Sequence, residues 1–202
     1  MLKHLQKLGD NELARIARAG SLEAFDVLLR RYQTRVFTYV RSRVARIEDA
    51  EDLTQAIFVK AYRNMGKYDP RRKFETWIFC IARRETISHY RRARDVLRRA
   101  TRIEADDCIS EPSSYDSTGS AERIWELARE LLSALEFDSL WLHYREDMSI
   151  AEVAHSLGKS EGASKAALHR ARSKLLKRLS PRNASHCGSR IDWRTKDELL
   201  TM

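Results

Sequence analysis

Behind Ser21, apolar side chains at Phe25, Leu28, Leu29, Tyr32, Val36, Phe37, Val40 and Val44 recur at steps of three and four. That spacing predicts one long helix over about 22–45. A second helix is predicted from Asp49, with Leu53, Ile57, Val59 and Ala61 on its apolar side and an end near Gly66. After an Asp69–Pro70 turn, a third places Phe74, Trp77, Ile78, Ile81 and Ala82 on one stripe and then runs through a basic stretch to Arg99. Leu13 and Ile16 predict a short leading helix, so residues 1–100 read as one helical bundle.

The pattern breaks at residues 101–121, where five serines, Pro112, Gly119 and five acids leave too little apolar surface to order a segment. This stretch reads as a flexible acidic linker. Periodicity resumes over 122–180. There Ser149–Ile150–Ala151–Glu152 is a capping box that starts a helix at Ile150, with Val153, Ala154 and Leu157 inward. Gly158 permits a left-handed exit, and Ser160 can cap a following helix whose inner face is Ser164, Leu168, Ala171, Leu175 and Leu179. Two helices joined by so short a turn form a helix-turn-helix, whose second member fits a DNA major groove. Residues 181–202 carry no usable periodicity and form a tail of unknown role. The fold class is therefore all-α, in two helical domains.

Charge sharpens this picture. Of 38 Lys+Arg and 29 Asp+Glu in 202 residues, residues 60–99 alone hold 13 basic and four acidic side chains, interleaved with Tyr62, Tyr68, Phe74, Trp77, Phe79 and Tyr90. Cations neutralise phosphates and exposed rings stack on unpaired bases, so this mixture suits single-stranded nucleic acid. At helical spacing most such rings belong to a core, and Tyr68, beside the turn, is the ring expected at the surface. In the second domain, residues 159–178 hold seven basic side chains and only Glu161 as acid. Lys165, His169 and Arg172 lie opposite the buried face, flanked by Ala166 and Arg170. Such a face offers donors to base edges and phosphates.

Other classes lose ground. The longest uncharged apolar stretch, residues 76–82, is too short to span a bilayer, and the N-terminus lacks the apolar core of a signal peptide, so a cytoplasmic protein without membrane insertion is expected. Cys80, Cys108 and Cys187 are too far apart to suggest a zinc site or disulfide framework. No Gly-rich phosphate loop, metal-ligand cluster or nucleophile–His arrangement points to an enzyme, a metal or a cofactor. A stand-alone helix-turn-helix regulator remains the alternative.

Both halves together resemble bacterial sigma factors of the sigma-70 family, in the extracytoplasmic-function (ECF) subfamily. Residues 49–55 (DAEDLTQ), then Phe74, Thr76–Trp77–Ile78, Ile81–Ala82–Arg83 and Tyr90–Arg91–Arg92, are similar to the family's region 2. Ser149 through Ala154, Leu157–Gly158, Ser160, Gly162, Lys165 and residues 168–172 (LHRAR) are similar to region 4. The resemblance implies a transcription initiation factor with core RNA polymerase, promoter DNA and an anti-sigma factor as partners. By it, Asp49, Glu51, Asp52 and Gln55 dock on the polymerase clamp. The −10 DNA falls to Lys67, Tyr68, Arg71, Arg72, Lys73, Phe74, Arg83 and Arg84, with the two arginines pointing outward, and the −35 element to Lys165, Ala166, His169, Arg170 and Arg172. The acids at 49–52 equally suit a helix N-terminus stabilised by its macrodipole. Departures from the family pattern at Arg84, Ala163, Ser164 and Ala167 imply an altered promoter preference, and Ala56 is a further departure at the end of the acidic motif.

Overall fold

A computed structural model of the chain describes residues 2–100 and 120–179; the predicted tail and nearly all of the predicted linker lie outside the described residues. Within them are nine α-helices and no strand. The first group comprises α1 (Leu2–Leu5), α2 (Asp10–Arg18), α3 (Leu22–Arg41), α4 (Ile47–Arg63) and α5 (Phe74–Ala100), with a single 3-10 turn at Met65–Lys67. The second comprises α6 (Ser120–Leu131), α7 (Ala134–Tyr144), α8 (Ile150–Leu157) and α9 (Glu161–Leu179).

The α3 stripe packs as the periodicity requires: Phe25, Leu28, Tyr32, Val36 and Val40 are buried against Leu53, Ile57 and Ala61 of α4 and Ile78 of α5. The Ser21 hydroxyl caps α3 by accepting from the Ala24 amide at 3.2 Å. The helix stops at Arg41, short of the expected 45, and α4 begins at Ile47, two residues early. Val59 departs from expectation by pointing to solvent, 49% exposed. Leu53, Ile57 and Ala61 are one turn apart, whereas Val59 falls about 200° from Ile57 around the helix. In front of α3, the short α2 is tied to the bundle through its polar N-terminal end. Tyr32 Oη donates to Asp10 at 2.6 Å, and Asn11 Oδ1 accepts the Phe74 amide at the start of α5 at 3.0 Å.

The second group is organised by two capping boxes. Ser133 with Glu136 opens α7, and Ser149 with Glu152 opens α8, the latter as the sequence pattern specifies. Gly158 ends α8 at φ 62°, a left-handed conformation that costs any side-chain-bearing residue roughly 1 kcal/mol. The α9 face at Ser164, Ala167, Leu168, Ala171 and Leu175 then packs on α7 and α8.

Glu136 also ties α9 down, accepting from Lys174 Nζ at 2.7 Å and Arg170 Nε at 3.4 Å. Burial raises this carboxyl's pKa, but Lys174 and the Ser133 amide and hydroxyl outweigh burial and hold it at about 2. A depressed carboxylate stabilises the fold above its ordinary value of 4.5, and that contribution disappears as pH falls through about 2. Glu136→Gln, which can retain the cap, should therefore lower stability at neutral pH by about 1 kcal/mol. Melting curves across pH should show the gap to wild type narrowing as pH falls below about 4.5.

Candidate functional site

Three surfaces carry the chemistry expected from sequence. The first is the exposed side of α4, where Glu51, Asp52 and Gln55 face solvent and Asp49 is half-buried. No side chain caps this helix at Arg46, so none of the four is consumed in closing its N-terminus. Beside Gln55 runs a groove of about 920 Å³ between α3 and α4, lined by Leu22, Phe25, Leu29, Phe58, Val59 and Tyr62 among others. Leu22 is 59% and Tyr62 47% exposed, with the Tyr62 ring edge-on to Phe25 at 5.2 Å between centroids. Sequence reading missed this groove; the out-of-phase Val59, followed by Tyr62 at i+3, was the available signal.

The second surface is the basic side around the turn before α5. Lys67, Arg71, Arg72 and Lys73 are exposed, as is Arg84 on α5. Asp69 orders the turn, its carboxylate meeting Arg71 Nε at 3.1 Å and Arg72 Nε at 3.9 Å. Two expectations fail here. Tyr68 is 1% exposed: its ring sits edge-on to Trp77 at 5.5 Å and Phe74 at 6.1 Å, and its hydroxyl donates to the Arg72 carbonyl at 2.6 Å. Phe74 is fully buried against Tyr32 and Trp77, as its place on the apolar stripe of α5 requires. Arg83 turns inward and donates from Nε to the buried Asp138 at 3.0 Å instead of pointing outward. Tyr90, 65% exposed on α5, is the ring of this set most open to solvent.

The third surface is the outer side of α9. Lys165, Ala166, His169 and Arg170 are exposed, and the Ala163 amide is capped by Ser160 Oγ at 3.2 Å. Arg172 departs from the set: it is half-buried and donates from Nη1 to Tyr144 Oη at 3.2 Å.

Between the two helical groups runs a charged seam. Asp138 accepts from Tyr39 Oη at 3.0 Å as well as from Arg83, and Arg43 Nε stands 3.7 Å away. Glu146 accepts from Trp141 Nε1 at 2.9 Å and Arg35 Nε at 2.9 Å, and Lys73 Nζ meets Glu152 at 2.9 Å. Burial pushes the Tyr39 hydroxyl well above its ordinary range, reinforced by the Asp138 charge, so it acts as a donor. Burial also raises Glu146 despite Arg35 beside it. Among the described residues, no group of three metal-ligating side chains converges and no helix is long and apolar enough to cross a membrane.

A helix-turn-helix with an exposed basic second helix, set in one chain with a second basic helical surface, defines a nucleic-acid-binding protein of the transcription class. Comparison with known proteins narrows the class. The Sigma-70 region 2 model matches residues 28–96 and the Sigma-70 region 4 model residues 124–175. The ECF RNA polymerase sigma factor BldN of Streptomyces coelicolor is 32% identical over 178 residues, covering 86% of this chain and 66% of that protein. The RNA polymerase sigma factor CarQ of Myxococcus xanthus is 30% identical over 164 residues, covering 78% and 90%. The sigma factor RpoE of Bartonella quintana, solved with the anti-sigma factor NepR, shares the fold at a TM-score of 0.66 and 21% identity, covering 79% of this chain and 99% of that one. The chain belongs to the sigma-70 family of RNA polymerase sigma factors, in its ECF group, and is a transcription initiation factor.

Proposed function

We propose that this chain directs core RNA polymerase to promoters by dividing the work among the three surfaces. Asp49, Glu51, Asp52 and Gln55 dock on polymerase, and the apolar groove beside them, with Val59 and Tyr62 on its wall, extends that contact. Lys67, Arg71, Arg72, Lys73, Arg83 and Arg84 hold the −10 DNA, with Tyr68 and Phe74 shaping the turn that presents them. Lys165, Ala166, His169 and Arg170 face the −35 groove, with Arg172 at its margin. In this reading residues 1–100 form the polymerase and −10 domain, 101–121 the linker and 122–180 the −35 domain. The protein acts by binding, with no catalysis of its own, and works in the cytoplasm. An anti-sigma partner belongs to the same reading, by likeness to RpoE in its complex with NepR.

The observation that carries this reading is the pairing, in one chain, of an exposed basic α9 with an acidic α4 surface bordered by an open apolar groove. A stand-alone regulator has use for the first and none for the second. Gel-shift measurements on duplex genomic fragments, with and without core polymerase, test it. Specific complexes are expected with core polymerase and at most weak ones without it. Tight specific binding by the chain alone, unchanged by polymerase, sinks the proposal.

A further inference from the structure

Glu136 stands where the first turn of α7 meets the middle of α9, and its two carboxylate oxygens have separate partners. Oε2 accepts from the Ser133 amide at 2.9 Å and from Lys174 Nζ at 2.7 Å, which pins the carboxylate to the α7 cap. Oε1 accepts from Arg170 Nε at 3.4 Å. The Glu136 side chain is 5% exposed and that of Arg170 is 55% exposed, so a fixed, buried acid holds a cation that reaches solvent. We infer that Glu136 is a positioning residue for promoter reading: it holds Arg170 by Nε so that both Nη groups face the −35 element and meet a guanine there. The inference rests on the −35 assignment of Arg170 above.

The choice of nitrogen matters. A guanidinium carries five N–H donors in one plane, and those on Nη1 and Nη2 suffice for the paired hydrogen bonds to guanine O6 and N7. A partner on Nε fixes the plane and leaves that pair available. Among the described residues, neither Nη of Arg170 makes a hydrogen bond. Arg172, two residues further on, differs: it donates from Nη1 to Tyr144 Oη and is half-buried. An unrestrained arginine loses rotamer freedom when DNA captures it, whereas one already held by a fixed carboxylate loses less and presents its plane in one orientation.

Seating α9 does not depend on this contact. Ala167, Leu168, Ala171 and Leu175 are buried along its inner face and hold its backbone against α7 and α8. Lys174, one turn beyond Arg170, supplies a shorter bond to the same carboxylate. What the bond to Arg170 adds is the direction of an exposed side chain that packing leaves undirected.

The test uses holoenzyme assembled from core polymerase and the full chain, with promoter fragments randomised across the −35 segment, selected by gel shift and sequenced. Arg170→Ala is expected to erase a guanine preference of about tenfold at one position. Glu136→Ala is expected to remove most of that preference at the same position and to leave the others unchanged. Glu136→Gln, whose amide oxygen can still accept from Nε, is expected to retain it. Lys174→Met, which removes the other α9 partner of Glu136, is expected to leave the preference intact. Glu136→Asp keeps the charge and can keep the cap while withdrawing the acceptor by a methylene; it is expected to lower the preference, and it decides the matter if Glu136→Ala fails to fold, as judged by helicity and cooperative melting. A guanine preference unchanged in the folded Glu136 variants but erased in Arg170→Ala overturns the positioning role and leaves the −35 assignment standing. A loss in Lys174→Met equal to that in Glu136→Ala overturns it too, since any loosening of α9 would then suffice. Arg170→Ala that changes no position, or weakens all sequences alike, removes Arg170 from base reading and the inference with it.

Discussion

Asp49→Lys combined with Asp52→Lys is expected to abolish co-purification of the protein with core RNA polymerase while leaving its helicity nearly unchanged. Both positions lie in the first two turns of α4, and that helix is closed by no side chain at Arg46. Reversing their charges costs only unfavourable interaction with the helix dipole, at most about 1 kcal/mol in total. A docking surface responds far more strongly, because each reversed charge meets its former partner as a repulsion. The groove offers an independent check. Tyr62 is half exposed against Phe25, and truncating an aromatic anchor at a binding surface commonly costs about 2 kcal/mol of affinity. Tyr62→Ala should thus weaken core binding by more than tenfold with little change in melting. Retained polymerase binding in both variants would remove α4 as the docking helix. Collapse of helicity in the double lysine variant would show instead that the acids serve the fold.

Holoenzyme formed with this protein should open promoter DNA near −10, and Arg83→Ala with Arg84→Ala should reduce open complex by at least about tenfold while −35 binding changes little. Strand opening requires capture of unpaired bases and phosphates, and α5 carries both Arg84 and Tyr90 to solvent, a cation and a ring on one helix. The two arginines differ in their surroundings. Arg84 is exposed, whereas Arg83 donates to Asp138, so Arg84→Ala alone should account for most of the loss. Permanganate reactivity of unpaired thymines reports the open complex, and a gel shift on duplex DNA carrying only the −35 element reports the other half. Equal losses in both assays would reduce the pair to general electrostatic attraction. Wild-type holoenzyme that leaves all selected promoters unreactive would remove strand opening from its role.

The features that could be read from the chain are those whose cause lies within a few residues. The capping box at Ser149 and Glu152, the left-handed Gly158, the cap at Ser160 and the α9 inner face depend on hydrogen bonds and spacings closed inside one or two helical turns. The stripes of α3 and α5, and the exposure of Lys165, His169 and Arg84, follow from the same 3.6-residue period. Other features depended on which surfaces meet. Tyr68 sits in a turn with polar neighbours, and only the folding of that turn over Phe74 and Trp77 buries its ring while its hydroxyl finds the Arg72 carbonyl. Arg83 lies where helical phase alone could send it either way, and its partner Asp138 is 55 residues distant, brought near by the docking of α7 on α3 and α5. The groove beside Gln55 is a surface that two helices make together: among the described residues its lining comes from α3 and α4 alone. Local periodicity thus settles which residues form helices and which face of each is apolar. A long side chain with several partners within reach commits to one only when separate helices are brought together, because burial makes an unpaired charge too costly to leave.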